Sequence, residues 1–293
     1  MTIYSWAPGH TTLFFAVPEQ FDQPEKMGSI GGGINFEKGV TTKLEKDMSN
    51  SVLWNSQNIN GIVTRTVISL FGKLTGKEIK VKVSHESELG IGFGFSTSGA
   101  GAIGTVLGLN ELFNTQFDNT DLFELAHKAE IINHTGLGSV VGQITGGIEF
   151  RLSQGGPKLC ETKSVSSNAN LVIAMLGPLS TADVLTSENH MKLVTSSGME
   201  TIKNIQNFQN ITIKSALQMG RQFMEKCGLM TEKVKQMIKE LDNIGERFSS
   251  MAMIGEALII FPQNRNQIKK WLNLNKIHFL ETNISSILPH VIK

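Results

Sequence analysis

Glu88-Leu89-Gly90-Ile91-Gly92-Phe93-Gly94-Phe95-Ser96-Thr97-Ser98-Gly99-Ala100-Gly101-Ala102-Ile103-Gly104 lies between a run with strand periodicity and a run with helical periodicity. Upstream, Ile79, Val81 and Val83 alternate with charged or polar residues. Downstream, Ile103, Val106, Leu107 and Leu109 recur at helical spacing. Glycines in such a turn let successive backbone N–H groups converge on an anion, and the helix that follows adds its unpaired N–H groups and the positive end of its dipole. The stretch therefore predicts a loop for nucleotide phosphates, with Gly90, Gly92, Gly94, Ser96, Thr97, Ser98, Gly99, Ala100 and Gly101 as its binding residues. The three hydroxyl residues can serve phosphate oxygens or Mg²⁺. A small-molecule kinase is the expected class.

Two common phosphate motifs do not account for the loop. A Walker A loop needs a hydroxyl residue after Gly-Lys, and neither Gly72-Lys73 nor Gly76-Lys77 has one. Gly99, Gly101 and Gly104 match a dinucleotide fingerprint, but they stand far from the strand near Ser84. The acidic residues downstream, Asp118 and Asp121, fall at a helix start rather than a strand end, so the match is a coincidence.

Working outward, residues 1–16 read as an apolar strand around Pro8-Gly9, and residues 28–33 as a tight glycine turn feeding a second strand. Asn119 or Thr120 is expected to cap a helix carrying Leu122, Phe123, Leu125, Ala126 and Ala129. Residues 136–147 read as a turn-rich connection, 148–152 as a strand, and the Ser/Gly-rich segment 154–170 as the boundary between two halves. Helices are expected over 211–227, 231–244 and 264–272, and strands over 171–176, within 248–261, and over 278–281. Without a regular β-α-β alternation, the fold class is α+β. With 293 residues and ~150 per domain, about two domains are expected, 1–160 and 161–293.

A net charge of +1 with no basic stripe argues against a nucleic-acid partner. The apolar run 171–179 is interrupted by Gly177-Pro178 and is too short to span a bilayer. With no signal-peptide pattern at the N-terminus, a cytoplasmic protein is expected. Cys160 and Cys227 have no metal-ligand spacing, which fits two reduced thiols.

Around the loop, His127, Glu130 and His134 recur at i, i+3 and i+7 of one helical pattern. A carboxylate there is a hard-oxygen ligand for Mg²⁺. Zinc is a poorer match, since the order is not His-Glu-x-x-His. Arg151 ends the strand after Gly146-Gly147, and its planar fork suits a carboxylate. Each of these residues alone would default to a structural role.

Together these segments resemble the GHMP kinase superfamily and, within it, the archaeal pantoate kinases. Residues 7–15 (Ala-Pro-Gly-His-Thr-Thr-Leu-Phe-Phe) resemble the first family motif, with His10 where many members carry a basic residue. Gly28-Ser29-Ile30-Gly31-Gly32-Gly33, the loop 90–104, Ala126-His127-Lys128-Ala129-Glu130, Gly136-Leu137-Gly138-Ser139-Val140, Gly146-Gly147-Ile148-Glu149 and the stretch 249–255 extend the likeness over almost the whole chain. The resemblance implies an N-terminal domain like the second domain of ribosomal protein S5, a ferredoxin-like C-terminal domain, and a homodimer. It implies transfer of the ATP γ-phosphoryl group to the 4-hydroxyl of pantoate, toward coenzyme A. Ser98 and Glu130 would hold Mg²⁺, and Ser29, His127, Arg151 and His10 would contact the acid. Ser180-Thr181 would cap a turn or reach substrate. The chain departs from the family pattern twice. Its loop is longer, so Ser96 competes with Ser98 for the metal, Ser98 keeping the register. And Ser139 stands where the family carries a catalytic aspartate, which a hydroxyl cannot replace as a base near neutrality. Kinases of other small hydroxy acids and a non-catalytic nucleotide- or metabolite-binding homologue are the alternative readings.

Overall fold

The computed structural model describes residues 1–179 and 188–293. Two long strands frame its first half: β1 (Thr2–Ala16) and β2 (Ile30–Lys46) run antiparallel, with register irregularities at Pro8/Gly9 and Thr12/Phe14. On the C-terminal half of β2 lies β5 (Val81–Glu86), whose Val81, Val83 and His85 alternate inward as a half-buried strand should. Next come β3 (Ser51–Trp54) and the short β4 (Gln57–Asn58). On the N-terminal half of β2 lies β6 (Ile148–Arg151), followed outward by β7 (Thr162–Val165). The last strand, β12 (His290–Ile292), returns to pair with β1.

Four helices belong with this sheet: α1 (Ile62–Thr75), α2 (Thr97–Phe113), α3 (Asn119–Ile132) and α4 (Ser139–Thr145). Helix α2 is apolar all round and buried along most of its length, a central helix rather than a surface one. Its glycines let it lie against the sheet. A Cβ on Gly101 would come within 3.2 Å of His85, one on Gly104 within 2.4 Å of Thr42, and one on Gly108 within 2.2 Å of Leu44. The dinucleotide-like spacing is thus a packing stripe.

The second sheet comprises β8 (Asn170–Gly177), β9 (Ser249–Met251), β10 (Glu256–Ile260) and β11 (His278–Asn283), all antiparallel in the order β11-β8-β10-β9. Helices α5 (Glu188–Lys203), α6 (Ile213–Lys226) and α7 (Glu232–Asn243) fall between β8 and β9, and α8 (Arg265–Leu274) between β10 and β11. That succession and strand order are those of a ferredoxin-like unit, as expected. One hydrophobic cluster joins the sheets, from Phe14, Phe36 and Phe150 to Ile173 and Ile259. Among the described residues no helix is long and apolar enough to cross a membrane.

Several local expectations are corrected. Residues 30–33 are strand, not turn, and their glycines serve close approach: a Cβ on Gly31 would lie 2.3 Å from the Phe14 carbonyl oxygen. The connection 136–147 contains α4, whose β-branched Val140, Val141 and Thr145 disguise a helix that burial stabilises. Asp118, not Asn119 or Thr120, caps α3 by accepting from the Thr120 N–H. The change from the first sheet to the second falls between Val165 and Asn170, inside the Ser/Gly-rich segment 154–170, with β7 still paired to β6. His134 lies beyond α3 in a left-handed conformation (φ 54°) and leaves the face of His127 and Glu130.

Beneath α2, His85 accepts or donates at both ring nitrogens, to Thr42 Oγ1 and Thr64 Oγ1 at 2.9 Å each. Burial pushes its pKa down from 6.5 to about 4. The unfolded chain therefore takes up a proton that the fold refuses, and stability held above pH 6.5 is lost as pH falls toward 4. The loss should reach about 3 kcal/mol. Urea unfolding at pH 7 and pH 5 should show the native chain weakened at the lower pH, and His85→Gln less sensitive to pH.

Candidate active site

The loop begins where β5 ends. Gly92 and Gly94 take positive φ (81° and 79°), conformations that a Cβ would strain. A Cβ on Gly94 would also lie 2.5 Å from the Met253 carbonyl oxygen, and one on Gly255 would lie 2.1 Å from the Phe93 backbone. The C-terminal motif is thus packed directly onto the loop. Ser96 is left-handed (φ 52°) and makes no side-chain cap, and the first turn of α2 carries no acidic residue. The N-terminal N–H groups of α2 are left to an anion. A cleft of about 580 Å³, bordered by Trp6, Lys38, Asn55 and Ser87, opens at Glu88 where the loop starts. A second cavity of about 510 Å³, beside Ser197, Asn204 and Gln222, reaches none of the expected site residues.

Glu130 is buried near the start of α2. Its carboxylate accepts from Thr135 Oγ1 (2.7 Å), Ser139 Oγ (2.9 Å) and the Ser98 hydroxyl. Burial raises its pKa, and these three hydrogen bonds oppose the rise. Glycine makes room again, since a Cβ on Gly136 would lie 2.3 Å from Glu130 Oε2 and 2.4 Å from Ser139 Oγ. Ser98 therefore meets the carboxylate, while Ser96 Oγ faces His10 Nδ1 at 3.3 Å. A carboxylate and a hydroxyl at the head of a phosphate-binding helix are a donor set suited to Mg²⁺. Among the described residues no group of three or more His, Cys, Asp or Glu is placed to hold a metal.

Arg151 is fully buried at the end of β6. Its Nε donates to the Ser29 carbonyl oxygen (3.2 Å) and its Nη1 to Glu149, while Nη2 is buried without a partner. Leaving a buried donor unmade costs ~1–3 kcal/mol, so a ligand oxygen is its natural complement. The Ser29 hydroxyl lies alongside: a Cβ on Gly138 would come within 2.4 Å of Ser29 Oγ and 2.7 Å of Arg151 Nε. His127 is tied differently. Its Nε2 meets the Met27 carbonyl oxygen at 2.8 Å, and burial lowers its pKa. It braces the turn that carries Ser29.

The structure thus gathers His10, Ser29, Glu130, Ser139 and Arg151 around the loop. Ser180-Thr181 lies outside the described residues. Two buried residues escaped sequence reasoning. Gln143 donates to the Pro8 and Ser96 carbonyl oxygens at 2.7 and 3.1 Å, and nothing in its sequence context marks it. Glu149 accepts from both His10 and Arg151. Its signal was available, since residues i and i+2 of a strand share a face.

Comparison with known proteins agrees with this geometry. Residues 61–147 match the model of the GHMP kinases N terminal domain. A pantoate kinase of Thermococcus kodakarensis is 31% identical over 268 residues, covering 88% of this chain and 87% of that protein. One of Methanocaldococcus jannaschii is 28% identical over 254 residues, covering 86% and 90%. Among solved structures, a phosphotransferase related to the CoA biosynthesis pathway superposes with a TM-score of 0.86 at 27% identity, covering 100% of this chain and 99% of that one. Mevalonate-3-kinase of Thermoplasma acidophilum, at 13% identity, TM-score 0.69 and coverage of 100% and 98%, shares the fold. Loop, central helix and paired sheets define a kinase of the GHMP class. Within that class the chain belongs to the pantoate kinase family.

Proposed function

We propose that this chain transfers the γ-phosphoryl group of ATP to the 4-hydroxyl of pantoate. The observation that carries the substrate assignment is the buried, unpartnered Nη2 of Arg151 beside Ser29, a seat for one carboxylate oxygen. The glycine loop and the head of α2 receive the phosphates, and the cleft at Glu88 has room for the nucleoside. Glu130 and Ser98 would hold Mg²⁺, which neutralises charge on the phosphate oxygens when bound. Phosphoryl transfer passes through a loose transition state, so placing the attacking oxygen in line matters most. Ser139, whose own proton is donated to Glu130, accepts one hydrogen bond from that hydroxyl and orients it, and the reacting proton leaves to a phosphate oxygen or water. The chain is taken to act as a cytoplasmic homodimer, which light scattering checks for the oligomer.

Phosphopantoate formation from ATP and pantoate tests the proposal, and no turnover at high enzyme overturns it. Arg151→Lys keeps a charge beside Glu149 but removes the free Nη2, and should raise KM for pantoate by ~10-fold or more. Ser139, in place of an expected aspartate, favours a second reading as a binding protein. ATP binding with no turnover of pantoate or other small hydroxy acids would support it.

A further inference from the structure

Glu149 sits wholly buried on β6, opposite Gly33 of β2. One oxygen, Oε1, accepts from His10 Nε2 at 2.9 Å and from Arg151 Nη1. The carboxylate requires the proton on Nε2. Burial holds His10 below the usual imidazole range, so the ring is neutral and its Nδ1 is an acceptor. The Ser96 hydroxyl, 3.3 Å away, is then the donor. A continuous set of side chains thus runs from the left-handed turn at the head of α2 to the guanidinium of the acid site.

The backbone is cleared for this set. A Cβ on Gly33 would lie 2.4 Å from His10 Nε2 and 2.7 Å from Glu149 Oε1. One on Gly142 would lie 2.6 Å from His10 Nε2 and 3.1 Å from Arg151 Nη1. One strand, β2, and one helix, α4, each give up a side chain around this set.

We propose that Glu149 is a positioning residue that holds Arg151 and Ser96 in one frame and sets which edge of the guanidinium meets the substrate carboxylate. This rests on reading Arg151 as that carboxylate's seat. With Nε on the Ser29 carbonyl and Nη1 on Glu149, Nη2 is the nitrogen left to a ligand. Glu149 also compensates the Arg151 charge before any ligand arrives. A monoanionic acid therefore binds through one oriented nitrogen rather than to an uncompensated cation, which keeps the anionic product free to leave.

Two variants separate this role from a purely structural one. Glu149→Gln keeps the shape and removes the counter-charge. Calorimetric titration with pantoate should show its Kd fall by ~5-fold, while kcat falls by ~10-fold as the guanidinium loses its fixed edge. His10→Gln keeps a donor for Glu149 but loses the bond to Ser96, and should raise KM for ATP by ~5-fold with the pantoate Kd within about twofold of native. An unchanged pantoate Kd in folded Glu149→Gln, with loss confined to melting temperature or total activity, overturns the proposal. Should Glu149→Gln not fold, an unmoved KM for ATP in His10→Gln overturns it equally. If the native chain neither binds nor phosphorylates pantoate, the substrate reading fails instead.

Discussion

Glu130→Gln is expected to lower turnover at saturating ATP and Mg²⁺ by ~10²–10³-fold, the scale of losing one preorganised charge-stabilising group. The carboxylate is buried, holds three hydroxyls, and stands at the positive end of α2, where the phosphates would lie. Glutamine preserves volume; its oxygen can accept from the hydroxyl on one side and its NH2 can donate to a rotated hydroxyl on the other, so the melting temperature should move by only a few degrees. ATP should bind the variant nearly as well in EDTA, yet lose the strengthening that Mg²⁺ gives the native chain. Calorimetric ATP titrations with and without Mg²⁺, beside single-turnover rates, check both halves. More than a tenth of native turnover would remove Glu130 from the reaction.

Ser139→Asp should move the rate the other way. Supplying a base to the attacking hydroxyl is expected to raise kcat by ~10²-fold, the low end for general-base catalysis. The gain should depend on Mg²⁺. Ser139 Oγ lies 2.9 Å from Glu130 Oε2, so the new carboxylate would stand against an existing one. Two adjacent carboxylates resist joint ionisation unless a cation is shared. The metal-free variant should accordingly melt below the native chain, and the two should converge as Mg²⁺ is added. Ser139→Ala should change kcat only a few-fold if the hydroxyl merely orients substrate. A Ser139→Asp enzyme no faster than native at any Mg²⁺ concentration would mean that position 139 does not face the attacking oxygen.

Much of this site was legible before any coordinates, because its chemistry needs residue types that have few other reasons to cluster. The glycine loop, Glu130 and Arg151 are of this kind. The long helical patterns of α6 and α7 were equally plain, since their apolar residues recur on one face. What escaped was whatever depended on distant partners. Residues 30–33 resemble a turn in isolation, and only the pairing of β2 with β1 and β6 shows that those glycines make room between strands. Helix α4 is two turns long and rich in β-branched residues, so its propensity argues against it. Helix α1, with Val63, Val67, Ile68 and Phe71 buried, passed unnoticed among threonines and β-branched residues. His127 and His134 looked equivalent by spacing, yet α3 ends between them. Ser96 and Ser98 could be told apart only once His10 and Glu130 were seen beside them.

The pairing of β12 with β1 sets Tyr4 against Ile292, joining nearly the first and nearly the last residues of the sequence. During synthesis the β1 edge therefore emerges long before its partner and waits, its backbone groups on that side unpaired, until residues 290–292 leave the ribosome. Contacts so distant in sequence form late and slow the final folding step. A nascent chain is exposed to edge-to-edge association throughout that wait. The phosphate-binding half cannot be cut out as an independent unit without reopening the same edge.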